Sequence, residues 1–141
     1  MTVDPAEHFA GAREMLRRDR LSAALGMVVV RDEPGEAVVS MVVREDMTNG
    51  FGITHGGIVF ALADTAFAMA CNDDDAVTVS AGADITYLAS TTPGQTLMAT
   101  ARRRSRSGRT GVFDVTVTDE TGAVVAEFRG RSLTTRRVAG G

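Results

Sequence analysis

Four kinds of chemistry-bearing residue crowd into the segment Asn49–Asn72, NGFGITHGGIVFALADTAFAMACN. They are an amide at Asn49, an imidazole at His55, a glycine pair at Gly56 and Gly57, and a carboxylate at Asp64. Asp64 is the one charge between His55 and Asp73. A carboxylate in so apolar a stretch must be paired, hydrated by a pocket, or functional. Desolvation raises its pKa, which suits a base or a nucleophile; the competing reading is a structural acid satisfied by a backbone N–H or an Arg. His-Gly-Gly at the start of a helix leaves backbone N–H groups at the positive end of the dipole, an electrophilic corner for a carbonyl oxygen gaining negative charge. Glycine lets ligand atoms approach that backbone closely, although Gly-Gly alone is more often only a turn. Asp64 follows about two turns on, and the expectation is that one bound acyl group touches both.

The element that must carry these groups is a helix from near Gly56 to near Asn72, about 26 Å long at 1.5 Å per residue. Ile58 to Ala70 is apolar around its whole circumference apart from Asp64 and Thr65, the mark of a buried helix. A membrane span needs roughly 20 uninterrupted apolar residues, and Asp64 interrupts this one, so a core helix wrapped by sheet is expected. Upstream, residues 4–20 read as an amphipathic helix, with Asp4 as N-cap, Pro5 at the first position and Phe9, Ala12, Met15 and Leu16 in one stripe. Ser22–Leu25 follows as a short link. Gly26–Arg31 and Glu36–Val43 form a hairpin around the four-residue turn Asp32-Glu33-Pro34-Gly35, and Arg44–Thr54 is a loop. Val77–Leu88, Gln95–Arg106, Gly111–Thr118 and Val124–Thr134 read as strands separated by Gly- and Pro-bearing turns, with a loose tail after Arg136. The order α-β-β-α-β-β-β-β is an α+β architecture.

At 141 residues the chain is expected to be one domain, 1–141. A net charge of −3 argues against general nucleic-acid binding. The single cysteine, Cys71, allows no internal disulfide framework and fits a reducing compartment, and the opening residues suggest no export leader, so a cytoplasmic location is expected. Beyond His55 there is only His8, and no nucleophile elbow or metal-ligand cluster, so serine-triad and zinc-hydrolase chemistries lack their parts. All 15 basic residues are Arg, for which we have no functional reading. Five of them, Arg102, Arg103, Arg104, Arg106 and Arg109, cluster on and after one strand, with Arg102, Arg104 and Arg106 sharing a face. Either they form a solvated outer face or they bind phosphate, which guanidinium does bidentately.

The chain resembles the hot-dog-fold acyl-CoA thioesterases, and within them the phenylacetic-acid-degradation (PaaI-type) branch. The resemblance rests on A-L-G at 24–26, D-M-x-N-G at 46–50, H-G-G-x-x-F-A-L-A-D-T-A-F-A-x-A-C-N at 55–72, I-T-Y-L at 85–88, G-R-x-G-x-x-D-V at 108–115 and F-R-G at 128–130, in that order. It implies an antiparallel sheet curled around one long helix, with an N-terminal helix, and hydrolysis of an acyl-CoA thioester. Under it Gly56 donates its N–H to the thioester oxygen, and Asp64 either deprotonates water or attacks directly. Asn49 orients water or thioester, Ser80 helps hold the water, and His55 either contacts substrate or braces the loop. Gly57, Phe51 and Thr65 are the expected substrate contacts, with Arg104, Arg106 and Arg109 on the CoA phosphates. No separate cofactor is implied, since coenzyme A is part of the substrate, and no metal. Phe51 and Thr54 stand where this branch carries His and Cys. An arylacetyl-CoA is the implied substrate class, in a pocket lined by Phe51, Phe60 and Phe67. The implied assembly is a homodimer or dimer of dimers with sites shared between subunits. A hot-dog hydratase and a non-catalytic acyl-CoA-binding module are the alternatives.

Overall fold

The computed structural model describes residues 10–72 and 76–138. Helix α1 spans Ala10–Arg18, α2 Arg20–Ala24 and α3 Gly56–Cys71. The strands are β1 Val28–Glu33, β2 Glu36–Val42, β3 Ala76–Tyr87, β4 Thr96–Ser107, β5 Thr110–Thr118 and β6 Val124–Val138. All six strands join one antiparallel sheet in the order β1-β2-β4-β5-β6-β3. Helix α3 carries the chain from β2 across the sheet to its far edge, so β3 becomes an edge strand although it is third in sequence.

The sheet curls around α3, which touches every strand. Alternation supplies the inner face: Leu97, Ala99 and Ala101 on β4 and Phe113, Val115 and Val117 on β5 are buried. From the helix Val59, Leu62, Ala63, Ala66, Phe67, Met69 and Ala70 are buried against them. Fully burying a side chain such as Leu62, Phe67 or Met69 contributes about 1.5–3 kcal/mol each. Phe67 lies between Phe113 and Phe128, with ring centroids 5.5 and 5.8 Å away. It fits because position 130 is glycine: a Cβ there would stand 2.7 Å from the Phe67 ring.

Three expectations are corrected. The first helix does not run to residue 20. It stops at Arg18, and Asp19, in extended conformation, caps α2 by accepting from the Ser22 N–H. The stripe residues Met15 and Leu16 do pack on the core, whereas Asp4, Pro5 and Phe9 lie outside the described residues. The β1–β2 hairpin turns on two residues, Pro34 and Gly35, rather than four, with Gly35 at φ 69°. Finally, the backbone after Arg136 continues as strand, pairing Val138 with Ala76.

Candidate active site

A helix N-terminus must find acceptors for its first N–H groups, and here His55 supplies most of them. Its Nδ1 accepts from Gly57 N–H at 2.9 Å, and its carbonyl accepts from Ile58 N–H at 2.9 Å and Val59 N–H at 3.3 Å. Glycine at 57 leaves room for this, because a Cβ would stand 3.0 Å from that Nδ1 and the imidazole would have to give way. The N–H of Gly56 alone has no acceptor among the described residues. These His55 bonds are the bracing interaction among the two roles open to that residue. Its own N–H bonds to Met47 O at 2.8 Å, tying the helix start to the loop.

Two neighbours frame the Gly56 donor. Tyr87 donates its hydroxyl to Gly56 O at 2.8 Å, with its ring so close that a Cβ on Gly56 would lie 3.1 Å from it. Asn49 closes its own turn: its Oδ1 accepts from Phe51 N–H at 2.9 Å and its carbonyl from Gly52 N–H at 3.1 Å. That leaves the Asn49 amide NH₂ without a partner among the described residues, a second donor for a ligand. The Thr54 and Thr91 hydroxyls, 2.6 Å apart, clamp this loop to the chain after β3. Between these parts lies a cleft of about 360 Å³ lined by Asn49, Gly56, Val59, Tyr87, Leu88 and Ser90, among others. Tyr87 and the Leu88–Thr91 segment were not anticipated as site residues. The available signal was that Tyr87 is the only tyrosine in the chain.

Asp64 has neither an ion pair nor a hydrogen bond among the described residues. The structural-acid alternative therefore lacks its partner there. Its carboxyl is held above the ordinary aspartate range, first by burial and then by the negative charge of Asp19. Two turns of helix put it about 12 Å along the axis from Gly56. One acyl group therefore does not touch both within a single chain, contrary to the expectation from spacing.

The other expected contacts are dispersed. Thr65 is buried, and its hydroxyl donates to Ala61 O at 2.9 Å and meets Ser22 Oγ at 3.1 Å, so it faces α2 rather than a ligand. Phe51, in the middle of the Asn49–Gly52 turn, is 90% exposed and is not among the residues lining the cleft beside Gly56; Phe67 is core, and Phe60 packs edge-on against Phe128 at 5.3 Å. The pocket of three phenylalanines is thus not formed by this chain. Ser80 is exposed on the edge strand β3, opposite Ser132. The register sets the arginines far from the corner: Arg106 pairs with Gly111, whereas Tyr87 is level with Ala126 and Val117, about 20 Å further along the strands. Arg104 contacts Asp114 at 3.3 Å, and Arg106 donates to Gly108 O at 3.4 Å. Asp114 is itself held below the usual carboxylate range, chiefly by its hydrogen bond from Arg129.

The geometry is that of a helix-start donor beside a cleft, with an unpaired, partly desolvated acid on the same helix. A family model described as "Thioesterase superfamily" matches residues 51–126, just over half of the chain. This chain belongs to the thioesterase superfamily. The thioesterase is 40% identical, over 86% of each chain, to acyl-coenzyme A thioesterase PaaI of Escherichia coli K12. A solved structure of E. coli PaaI, from the phenylacetic acid degradation operon, superposes with a TM-score of 0.89 at 37% identity, covering 93% of this thioesterase and 95% of that chain. A Streptococcus mutans UA159 protein solved bound to acetyl CoA superposes with a TM-score of 0.74 at 29% identity, over 77% of this chain and 88% of that one. The fold is the hot-dog fold of these neighbours, and the thioesterase is a thioester hydrolase of the acyl-CoA thioesterase class. Among the described residues no helix is long and apolar enough to cross a membrane.

Proposed function

We propose that this thioesterase hydrolyses an aryl- or arylacetyl-CoA to the free acid and CoA. The observation that carries the reading is the Gly56 N–H, a backbone donor with no acceptor among the described residues, opening on a cleft. A carbonyl oxygen seated there gains a bond that strengthens as it becomes an oxyanion. The Asn49 NH₂ is a second donor beside it. Asp64, kept proton-hungry by burial, takes a proton from water as the water oxygen attacks the carbonyl carbon. The C–S bond then breaks, and the thiolate leaves with that proton. Direct attack by Asp64 to give an anhydride uses the same groups.

The acid and the donor are too far apart within one chain, so the reading uses two. Edge strand β3, with Val77, Val79 and the neighbouring Leu133 of β6 each more than 40% exposed, is suited to antiparallel pairing with a second copy. A two-fold axis crossing β3 between Ser80 and Tyr87 turns the second helix end for end and carries Asp64 of the partner subunit toward Gly56. The aryl preference draws on the E. coli relative's operon and on the cleft, whose size suits a compact acyl group and whose exposed Tyr87 ring and Leu88 offer apolar contact.

The test is thiol release over a panel of benzoyl-, phenylacetyl-, hydroxyphenylacetyl- and C4–C16 acyl-CoAs, alongside light scattering. The expected result is highest kcat/KM for an aryl substrate in a dimer or tetramer. A fully active monomer defeats the shared site, and a preference for C12–C16 chains defeats the aryl assignment. Consumption of enoyl-CoA without thiol release replaces hydrolysis by hydration.

A further inference from the structure

The break between α1 and α2 places a second carboxylate close to the acid of α3. Asp19 accepts from Ser22 N–H at 2.9 Å and from the Ser22 hydroxyl at 2.6 Å, a short, charge-assisted distance. Ser22, 3% exposed, reaches across to Thr65 at 3.1 Å, the residue that follows Asp64. Ser22 has one hydroxyl proton, and it points at the carboxylate. The Ser22–Thr65 contact therefore uses the Thr65 proton, shared with Ala61 O at 2.9 Å. The chain runs one way, from Thr65 through Ser22 to Asp19, where both carboxylate oxygens act as acceptors, the role of the ionised form.

We propose that Asp19 is a positioning residue for Asp64: through Ser22 and Thr65 it docks the N-terminal helices on the middle of α3, and so keeps a carboxylate charge at the contact with the residue that follows the catalytic acid. Its catalytic consequence rests on the thioesterase reading above; the electrostatic link does not. Among the described residues Asp19 is the one charge that acts on Asp64, and neither Arg20 beside it on α2 nor Asp84 on β3 does. Strands β2, β4 and β5 turn apolar residues toward α3, and Phe128 and Ala126 do so from β6. On α1, Glu14 is engaged by Arg17 and Arg18 at the surface, and on β1 Arg31 contacts Glu33 and Glu36. Besides burial, Asp19 is the group that raises the proton affinity of Asp64. A raised affinity makes Asp64 a stronger base at the cost of its acid-side range.

The experiment titrates Asp64 directly, by carboxyl 13C chemical shifts in aspartate-labelled full-length protein without substrate, with Asp64→Asn fixing the assignment. Asp19→Asn removes the charge and keeps a competent N-cap; Asp19→Ser serves equally if Asn impairs folding. The expected result is a midpoint lowered toward the ordinary aspartate range, with the acid limb of kcat moving the same way. Ser22→Ala keeps the charge and cuts the link, and is expected to lower Tm while moving the midpoint less than Asp19→Asn does. If folded Asp19→Asn leaves the Asp64 midpoint where it was, the proposal is overturned and Asp19 is only a helix cap. A midpoint that moves in a protein releasing no thiol upholds the coupling and refutes the reaction instead.

Discussion

At its C-terminal end, helix α3 is tied to β3 by the side chain of Asn72. Its backbone N–H and its amide NH₂ donate to Ala68 O at 3.2 and 2.8 Å. The NH₂ also donates to Thr78 O at 3.0 Å, and the side-chain oxygen accepts from Thr78 N–H at 2.9 Å. At the N-terminal end His55 performs the matching task for Gly57, Ile58 and Val59 but stops short of Gly56. The same helix therefore has one end tied to β3 through Asn72 and one end whose Gly56 N–H has no acceptor among the described residues. That end is open to solvent, with His55 and Gly57 exposed and Gly56 half-buried, so the free N–H is within reach of a ligand atom as it is of water. Further along the helix, Asp64 is the counterpart in the opposite sign, an acceptor with no donor among the described residues.

The largest effect expected is at that acceptor. Asp64→Asn should lower kcat roughly 10²- to 10⁴-fold, the range of a positioned acid–base group, while acyl-CoA still binds. Because burial and Asp19 raise the carboxyl's pKa, ionising it opposes folding. The variant should thus unfold at higher urea than wild type at pH 7, and the gain should fade as pH falls toward the ordinary aspartate value of about 3.9. A variant that is less stable yet fully active per folded molecule would make Asp64 structural.

Next comes the donor. Gly56→Pro deletes the N–H at a helix position where proline is welcome, after a residue already in extended conformation; Gly56→Ala keeps it. Both introduce a Cβ against the Tyr87 ring, so their ratio isolates the hydrogen bond. Proline should be about 10²- to 10³-fold slower than alanine in kcat, with similar helicity by circular dichroism. Equal rates would remove Gly56 from the mechanism. At the C-terminal end, Asn72→Ala should cost about 1–3 kcal/mol of stability for its lost bonds and leave kcat unchanged, whereas a slowed enzyme would mean the two ends are not independent. The smallest effect is expected at the arginines: Arg104→Ala, Arg106→Ala or Arg109→Ala should raise KM for acyl-CoA roughly tenfold or less with kcat intact. Unchanged KM in all three leaves them a solvated face.

What the sequence made legible is what depends on neighbours along the chain. An all-round apolar helix, its glycine entry and its lone acid are local patterns, and the strands are delimited by turn residues such as Pro93-Gly94 and Gly108. The break at Asp19 was hidden because the apolar spacing of Met15 and Leu16 gives no hint that Asp19 turns its side chain back on Ser22. Extension of β6 past Arg136 depends on Ala76, more than sixty residues away in sequence. The arginine cluster and the Gly56 corner look equally close to the helix on paper, and only the sheet register separates them. Tyr87 reaches Gly56 because β3 was carried to the far edge, a consequence of topology that no local pattern encodes. Phe51, Phe60 and Phe67 are one residue type with three fates, since composition says nothing about which aromatic is enclosed.

The notch that Gly130 opens for Phe67 also restricts how this core can change over time. Adding a methyl at 130 pushes into the ring and costs about 1–3 kcal/mol for overpacking. Shrinking Phe67 first leaves a void costing about 3–5 kcal/mol. Each step is unfavourable alone, and each relieves the strain or void left by the other. The two positions therefore form a ratchet: a lineage or a designer can exchange them only by crossing a less stable intermediate or by changing both at once.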